Sequence, residues 1–153
     1  MPADSDLPSL PHTWRPFGVR MAGIVLGLGL VVVCALTWFG FDEETRSRFT
    51  TFQRGTLFVV GLGAFALWFA LVRSRVVAEA ERLVVVNGYR RREYAWPEVI
   101  AVRLPPGAPW VTLDLADGTT AAAMGIQGSD GDRAKRATRE LRAIADRQAR
   151  PSV

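Results

Sequence analysis

Hydrophobic and polar positions follow different rules in different parts of this chain. From Met21 to Phe41 (MAGIVLGLGLVVVCALTWFGF) no residue is charged, and from Gly55 to Val72 (GTLFVVGLGAFALWFALV) none is charged either. At ~1.5 Å per helical residue the two runs extend roughly 31 Å and roughly 27 Å, which brackets the ~30 Å hydrocarbon core of a bilayer. The pattern predicts two transmembrane helices, 21–41 and 55–72. Burying both helices in a water-soluble fold would require another apolar layer, and the remaining residues are too polar to supply one. Arg15 and Arg20 precede the first run as they would a signal peptide, but the run is long for one. No small-x-small cleavage pattern follows it, and a second span comes soon after.

After residue 72 the period changes. Short β-rich runs follow one another: RVVAEA (75–80), RLVVVN (82–87), YRRREYAW (89–96), VIAVRL (99–104), WVTLDL (110–115) and TTAAAM (119–124). Asn87-Gly88 and Asp117-Gly118 are two-residue hairpin signals, and PPGAP (105–109) breaks the chain between two further strands. GIQGSDG (125–131) reads as a flexible connection into DRAKRATRELRAIADRQAR, where Ala134, Ala137, Leu141, Ile144 and Ala145 recur at helical spacing. Ser129 followed by Asp132 reads as the capped start of that helix. The expectation is about six antiparallel strands and one amphipathic helix. Trp96, Val99, Trp110, Leu113, Leu115, Leu141 and Ile144 are its predicted core.

Charge orients the spans. Only 13 residues (42–54) join them, with three arginines balanced by three acids, so the spans form an antiparallel hairpin. The terminal sides carry Arg15 and Arg20, then Arg73, Arg75, Arg82, Arg90, Arg91 and Arg92. Eight basic residues against three place both termini in the cytoplasm of a multi-pass cell-membrane protein. Trp14 and Phe17 on one side, with Trp38, Phe39 and Phe41 on the other, suit interfacial aromatic belts. Inside the spans Thr37 and Thr56 are almost the only polar side chains, too few for a solute path. The small-residue pairs Gly23/Gly27 and Ala66/Ala70 are expected where the two helices pack together. Cys34, the only cysteine, reads as a packing residue. Residues 1–20, with four prolines, read as a disordered tail ahead of the hairpin 21–72, and 150–153 as a second tail.

Composition then narrows the chemistry. Residues 73–153 contain no His and no Cys, and their carboxylates are scattered over strand edges and turns. GIQGSDG lacks the Lys-Ser/Thr that completes a phosphate-cradling loop, and His12 has no ligating neighbours in sequence. We therefore expect no catalysis, no cofactor and no metal. Nucleic-acid binding is suggested only by a pI near 10.2, and after residue 72 fourteen basic residues face ten acids. That modest excess on a tethered domain suits the anionic leaflet better, where each basic residue contributes ~1 kcal/mol.

The order of features in 73–149 resembles a known family. An Arg-rich hairpin, the step Trp96-Pro97-Glu98-Val99, a strand, a Pro/Gly loop, a Trp-led strand, an Asp-Gly turn and a closing helix are similar to the bacterial pleckstrin-homology-like domains of small actinobacterial membrane proteins, which also carry two preceding helices. The resemblance implies an α+β membrane protein: two transmembrane helices, then a PH-like antiparallel β-sheet or partial barrel capped by a C-terminal α-helix. It implies a binding module whose occupant is either a protein partner at the cytoplasmic face, which we rank first, or an anionic lipid headgroup. The candidate binding residues are Arg90, Arg91 and Arg92. With Asn87-Gly88 as the turn, Val86 would face Tyr89 and Val84 would face Arg91. The pleat then puts Arg90, Arg92, Tyr94 and Trp96 on the core face, with Leu83 and Val85, and Tyr89, Arg91 and Glu93 on the other. Arg90 and Arg92 would lie at the rim of the core face with their heads in water. The spacing resembles the inositide sites of eukaryotic PH domains, but valines stand where those sites carry a base on the preceding strand.

Overall fold

The computed structural model describes residues 7–149; the expected tail at 150–153 and the first six residues of the expected N-terminal tail lie outside that range. Within it the tail reading fails from His12 onward. His12–Trp14 is a strand, β1, paired antiparallel with β2 (Arg75–Ala78) through Thr13↔Val77 and Trp14↔Val76. Trp14 is buried in the core, and its indole N–H donates to the Glu140 carboxylate at 3.1 Å. It is therefore no interfacial belt residue. A three-residue strand has no readable period, and its partner lies more than sixty residues downstream, so nothing local in the sequence announces it.

The apolar runs are the helices α1 (Phe17–Gly40) and α3 (Thr51–Arg73), both long and apolar enough to cross a membrane and with no residue buried. Each starts four residues before the charge-free run does. The connection carries structure of its own. Asp42 caps a short helix α2 (Glu43–Arg48) by accepting from Thr45 N, and Thr50 with Gln53 forms a capping box at the start of α3. Thr37 and Thr56 bond carbonyls one turn back in their own helices, so neither offers a free polar group. Gly23 lies under Trp68, where an added methyl would collide with the indole, and this is where α1 and α3 meet. Gly27 has open space around it.

Six strands come from the polar part of the chain after α3, and β1 joins them from before the helices. β1, β2, β3 (Arg82–Asn87) and β4 (Arg90–Ala95) form one antiparallel sheet; β5 (Val99–Arg103), β6 (Trp110–Leu115) and β7 (Thr120–Gln127) form a second. A 3-10 turn at Trp96–Glu98 carries the chain between them, and α4 (Asp132–Gln148) closes the core. The helical hairpin is thus inserted between the first and second strands of the β-module. Because β1 comes from before the hairpin, the module is not confined to residues after 72.

β7 runs three residues further than expected, through part of the segment read as a flexible connection. Its backbone passes close to β2: a Cβ on Gly125 would lie 2.6 Å from the Arg75 and Val76 backbone. Backbone cannot swing aside, so Gly125→Val is expected to destabilise the module by at least ~1–3 kcal/mol, read as a lower melting temperature. An unchanged melting temperature would contradict this close crossing of the sheets. The side chain of Asn87 joins β3 to β7, donating to Ala122 O at 2.6 Å and accepting from Met124 N at 3.0 Å.

The core holds Trp96, Val99, Leu113, Leu141 and Ile144 as expected. Trp110 and Leu115 are only half-buried. On β6 the inward positions are Val111 and Leu113, which leaves Trp110 on the opposite parity, at a bulge where its partner is Gln127 while the next pair is Val111↔Ala123. Leu115 ends the strand. The turn after it has three residues, with Leu115 N bonding Thr119 O, because the Asp117 carboxylate accepts from both the hydroxyl and the backbone N–H of Thr119. These bonds hold the Asp117 carboxyl below its ordinary range. α4 starts without a side-chain cap from Ser129 or any other described residue.

Candidate binding site at the foot of α3

The β3–β4 turn sets the site. Asn87 pairs with Arg90, which makes Gly88 and Tyr89 the two turn residues, in place of the expected Asn87 and Gly88. Gly88 has φ +60° and Tyr89 a negative φ, the signature of a type II′ turn with glycine first. Asn87 is unavailable for the turn because β7 occupies its amide. The register moves by two residues, to Val86↔Arg91 and Val84↔Glu93. A two-residue slip preserves the faces, so Arg90 and Arg92 remain on the side of Leu83, Val85 and Tyr94.

The turn packs on α3. Tyr89 donates its hydroxyl to Ala66 O at 3.0 Å, and Gly88 N donates to the Ser74 hydroxyl at 2.9 Å. Ser74 in turn donates to Ala70 O at 3.2 Å. Ala66 and Ala70 therefore receive the hairpin tip, which replaces the expected role of this small-residue pair in packing against α1. Between the tip, the last turn of α3 and the start of β7 lies a pocket of ≈ 370 Å³, lined among others by Leu71, Ser74, Arg90, Arg92, Tyr94 and Thr120.

Its charge is sorted by the pleat. Arg91 points to the outer face and pairs with Glu93 at 2.7 Å, so it does not join the other two. Arg82 lies on that outer surface between Glu79 and Glu93; its hydrogen bond to Glu79, then the charge of Glu93, raise its already high pKa. Arg90 and Arg92 are exposed and, among the described residues, have no carboxylate partner. No acidic residue among those described lines the pocket.

A second junction holds α1. Asp130, in the short turn before α4, accepts from Phe17 N at 2.9 Å and Gly18 N at 2.7 Å, satisfying two free donors at the start of an apolar helix. Arg133 stacks over Phe17 at 4.1 Å from the ring centre. Sequence reasoning does not single out Asp130, Ser74, Asn87 or Tyr89 for these roles. Asn87 carries the signal of a turn residue, and Ser74 only follows the end of an apolar run. Among the described residues no cluster of His, Cys, Asp and Glu is placed to hold a metal.

Seven strands in a four-plus-three arrangement closed by a C-terminal helix define the architecture that the resemblance implied. Residues 73–143 match the family model described as Bacterial PH domain, which supports the resemblance for that segment of the chain. The matched segment begins after β1, so the strand delivered from before the helices lies outside it. No curated protein and no solved structure matches the chain.

Proposed function

We propose that this chain is a membrane-anchored, non-catalytic binding module in which the pocket at the foot of α3 holds an anionic lipid headgroup. The observation that carries this reading is the placement of Arg90 and Arg92, which have no carboxylate partner among the described residues, in a pocket that no described acidic residue lines, against the end of an apolar helix. α1 and α3 are the anchor. The basic excess at their terminal ends puts the module on the cytoplasmic side, against the anionic leaflet. Arg15, Arg20, Arg73 and Arg75 stand near the same helix ends and add attraction without selectivity. The pocket ranks lipid recognition above the protein partner that sequence alone puts first, and it narrows the binding residues to Arg90 and Arg92. Arg91 belongs to the outer face. Valines on β3 in place of a base argue for a simple phosphate over a specific inositide.

The test uses the full chain extracted gently from membranes of mixed anionic and zwitterionic phospholipid, with retained lipid read by native mass spectrometry. Arg90→Ala with Arg92→Ala is expected to lower retained anionic lipid about tenfold or more, at ~1–2 kcal/mol for each charge-assisted contact. Arg91→Ala should leave it unchanged. Equal loss in both variants, or retention of another protein in place of lipid, would overturn the reading.

A further inference from the structure

We infer that the membrane helix α3 is part of the binding site itself, and that Ser74 is the positioning residue that holds the β3–β4 tip, and with it Arg90, against the helix. The inference rests on the lipid reading above and deepens it by naming the ligand as an intact phospholipid that arrives from the bilayer side. Ser74 is 1% exposed and makes two bonds at once, one to α3 (Ala70 O) and one from the tip (Gly88 N). A Cβ built on Gly88 would stand 3.4 Å from the Ala70 methyl, so tip and helix are in van der Waals contact. Tyr89 reaches further, to Ala66, seven residues before the end of α3 and thus about 10 Å back along its axis. The tip therefore lies beside the last two turns of the helix, with the amphipathic tyrosine reaching from the polar end toward its apolar part.

The pocket has walls from both parts of the molecule: Ala70, Leu71 and Ser74 from the end of α3, and Arg90, Arg92 and Thr120 from the strands. Leu67 and Leu71 are exposed on α3 next to it. A phosphate between Arg90 and Arg92 leaves an attached acyl chain free to run along those leucines. A free phosphate ester has no such surface to use. Retention of the ligand is accordingly coupled to the seating of the tip on α3.

Ser74→Ala and Ser74→Thr test this in the full chain in nanodiscs containing phosphatidic acid in zwitterionic lipid, with glycerol 3-phosphate as the soluble competitor. Ser74→Ala is expected to reduce phosphatidic-acid retention about tenfold, the equivalent of roughly one hydrogen bond. Ser74→Thr keeps the hydroxyl and should restore it. A spin label at Tyr89→Cys, on a Cys34→Ala background, should gain mobility in Ser74→Ala only, a readout that a general loss of stability would not reproduce in isolation. Glycerol 3-phosphate should not displace the lipid. Full retention in Ser74→Ala beside loss in Arg90→Ala/Arg92→Ala would refute the role of α3 while leaving the lipid reading intact. Absence of retention in the unaltered protein would refute the lipid reading itself. Efficient displacement by glycerol 3-phosphate would reassign the pocket to a soluble phosphate ester.

Discussion

Leu141→Asp is expected to abolish the folded module. Leu141 is fully buried, in a cluster with Leu113, Val102 and Ile144. Removing its side chain to alanine would cost ~2–5 kcal/mol. Placing a carboxylate there adds the penalty of an unpaired buried charge, several kcal/mol more, against a total stability of ~5–15 kcal/mol for a domain. Limited proteolysis of the full chain in detergent should cut Leu141→Asp throughout 75–148 at conditions where the unaltered protein is resistant. Unchanged resistance would refute the packing of α4 on the sheets.

An effect of similar size is expected from loss of β1. Trp14 fills the core from before the hairpin, pairs with Val76 and donates to Glu140. Large aromatic-to-alanine changes in cores cost ~3–5 kcal/mol, and deleting the strand also exposes one edge of β2. Residues 73–153 expressed alone should therefore melt far below a single-chain version in which residues 7–16 are joined to Ser74 by a flexible linker replacing the helices. Equal melting temperatures would show that β1 is dispensable and return the module to residues after 72.

These two expectations mark what is legible in the sequence. The helices α1 and α3 are readable because they are uncharged apolar runs of hydrocarbon length, and α4 because its apolar positions recur at helical spacing; the strands are readable only as short β-rich runs, since their turns and inward positions differ from the sequence pattern. Trp110 is misplaced from sequence because parity counts from the core-facing residue, and a bulge in its pairing with β7 hides which one that is. The faces of Arg90, Arg91 and Arg92 are legible from alternation alone, even with the register two residues off, since such a slip keeps every side chain on its face. The pocket is not legible. It depends on where α3 ends relative to the Gly88–Tyr89 turn, and that contact joins residues 14 or more apart through a buried serine hydroxyl. The Asp130 cap on α1 spans over a hundred residues and carries no local signal at all.

The helix junctions also give a reason for so much polar stitching where a small module meets its apolar helices. Free N–H groups at the start of α1 and free carbonyls near the end of α3 must find partners, and water is scarce beside a bilayer. Asp130 supplies acceptors to the first set. Ser74 supplies a donor to the second, at Ala70 O, and Tyr89 adds a further bond to α3 at Ala66 O. In the anchored module we propose, the same bonds fix its attitude toward the leaflet and leave Arg90 and Arg92 facing it.

Occupation of this pocket by anionic lipid is the central claim, and one measurement reads it directly. Thr120 lies in the pocket wall at the start of β7. A photoreactive benzoylphenylalanine placed at position 120 in the full chain, irradiated in native membranes and analysed by mass spectrometry, reports the occupant. The predicted product is an adduct with an anionic phospholipid, enriched over its share of the membrane and lost when Arg90 and Arg92 are both alanine. An adduct with another protein, or with phospholipids in their bulk proportions regardless of the arginines, would contradict the claim.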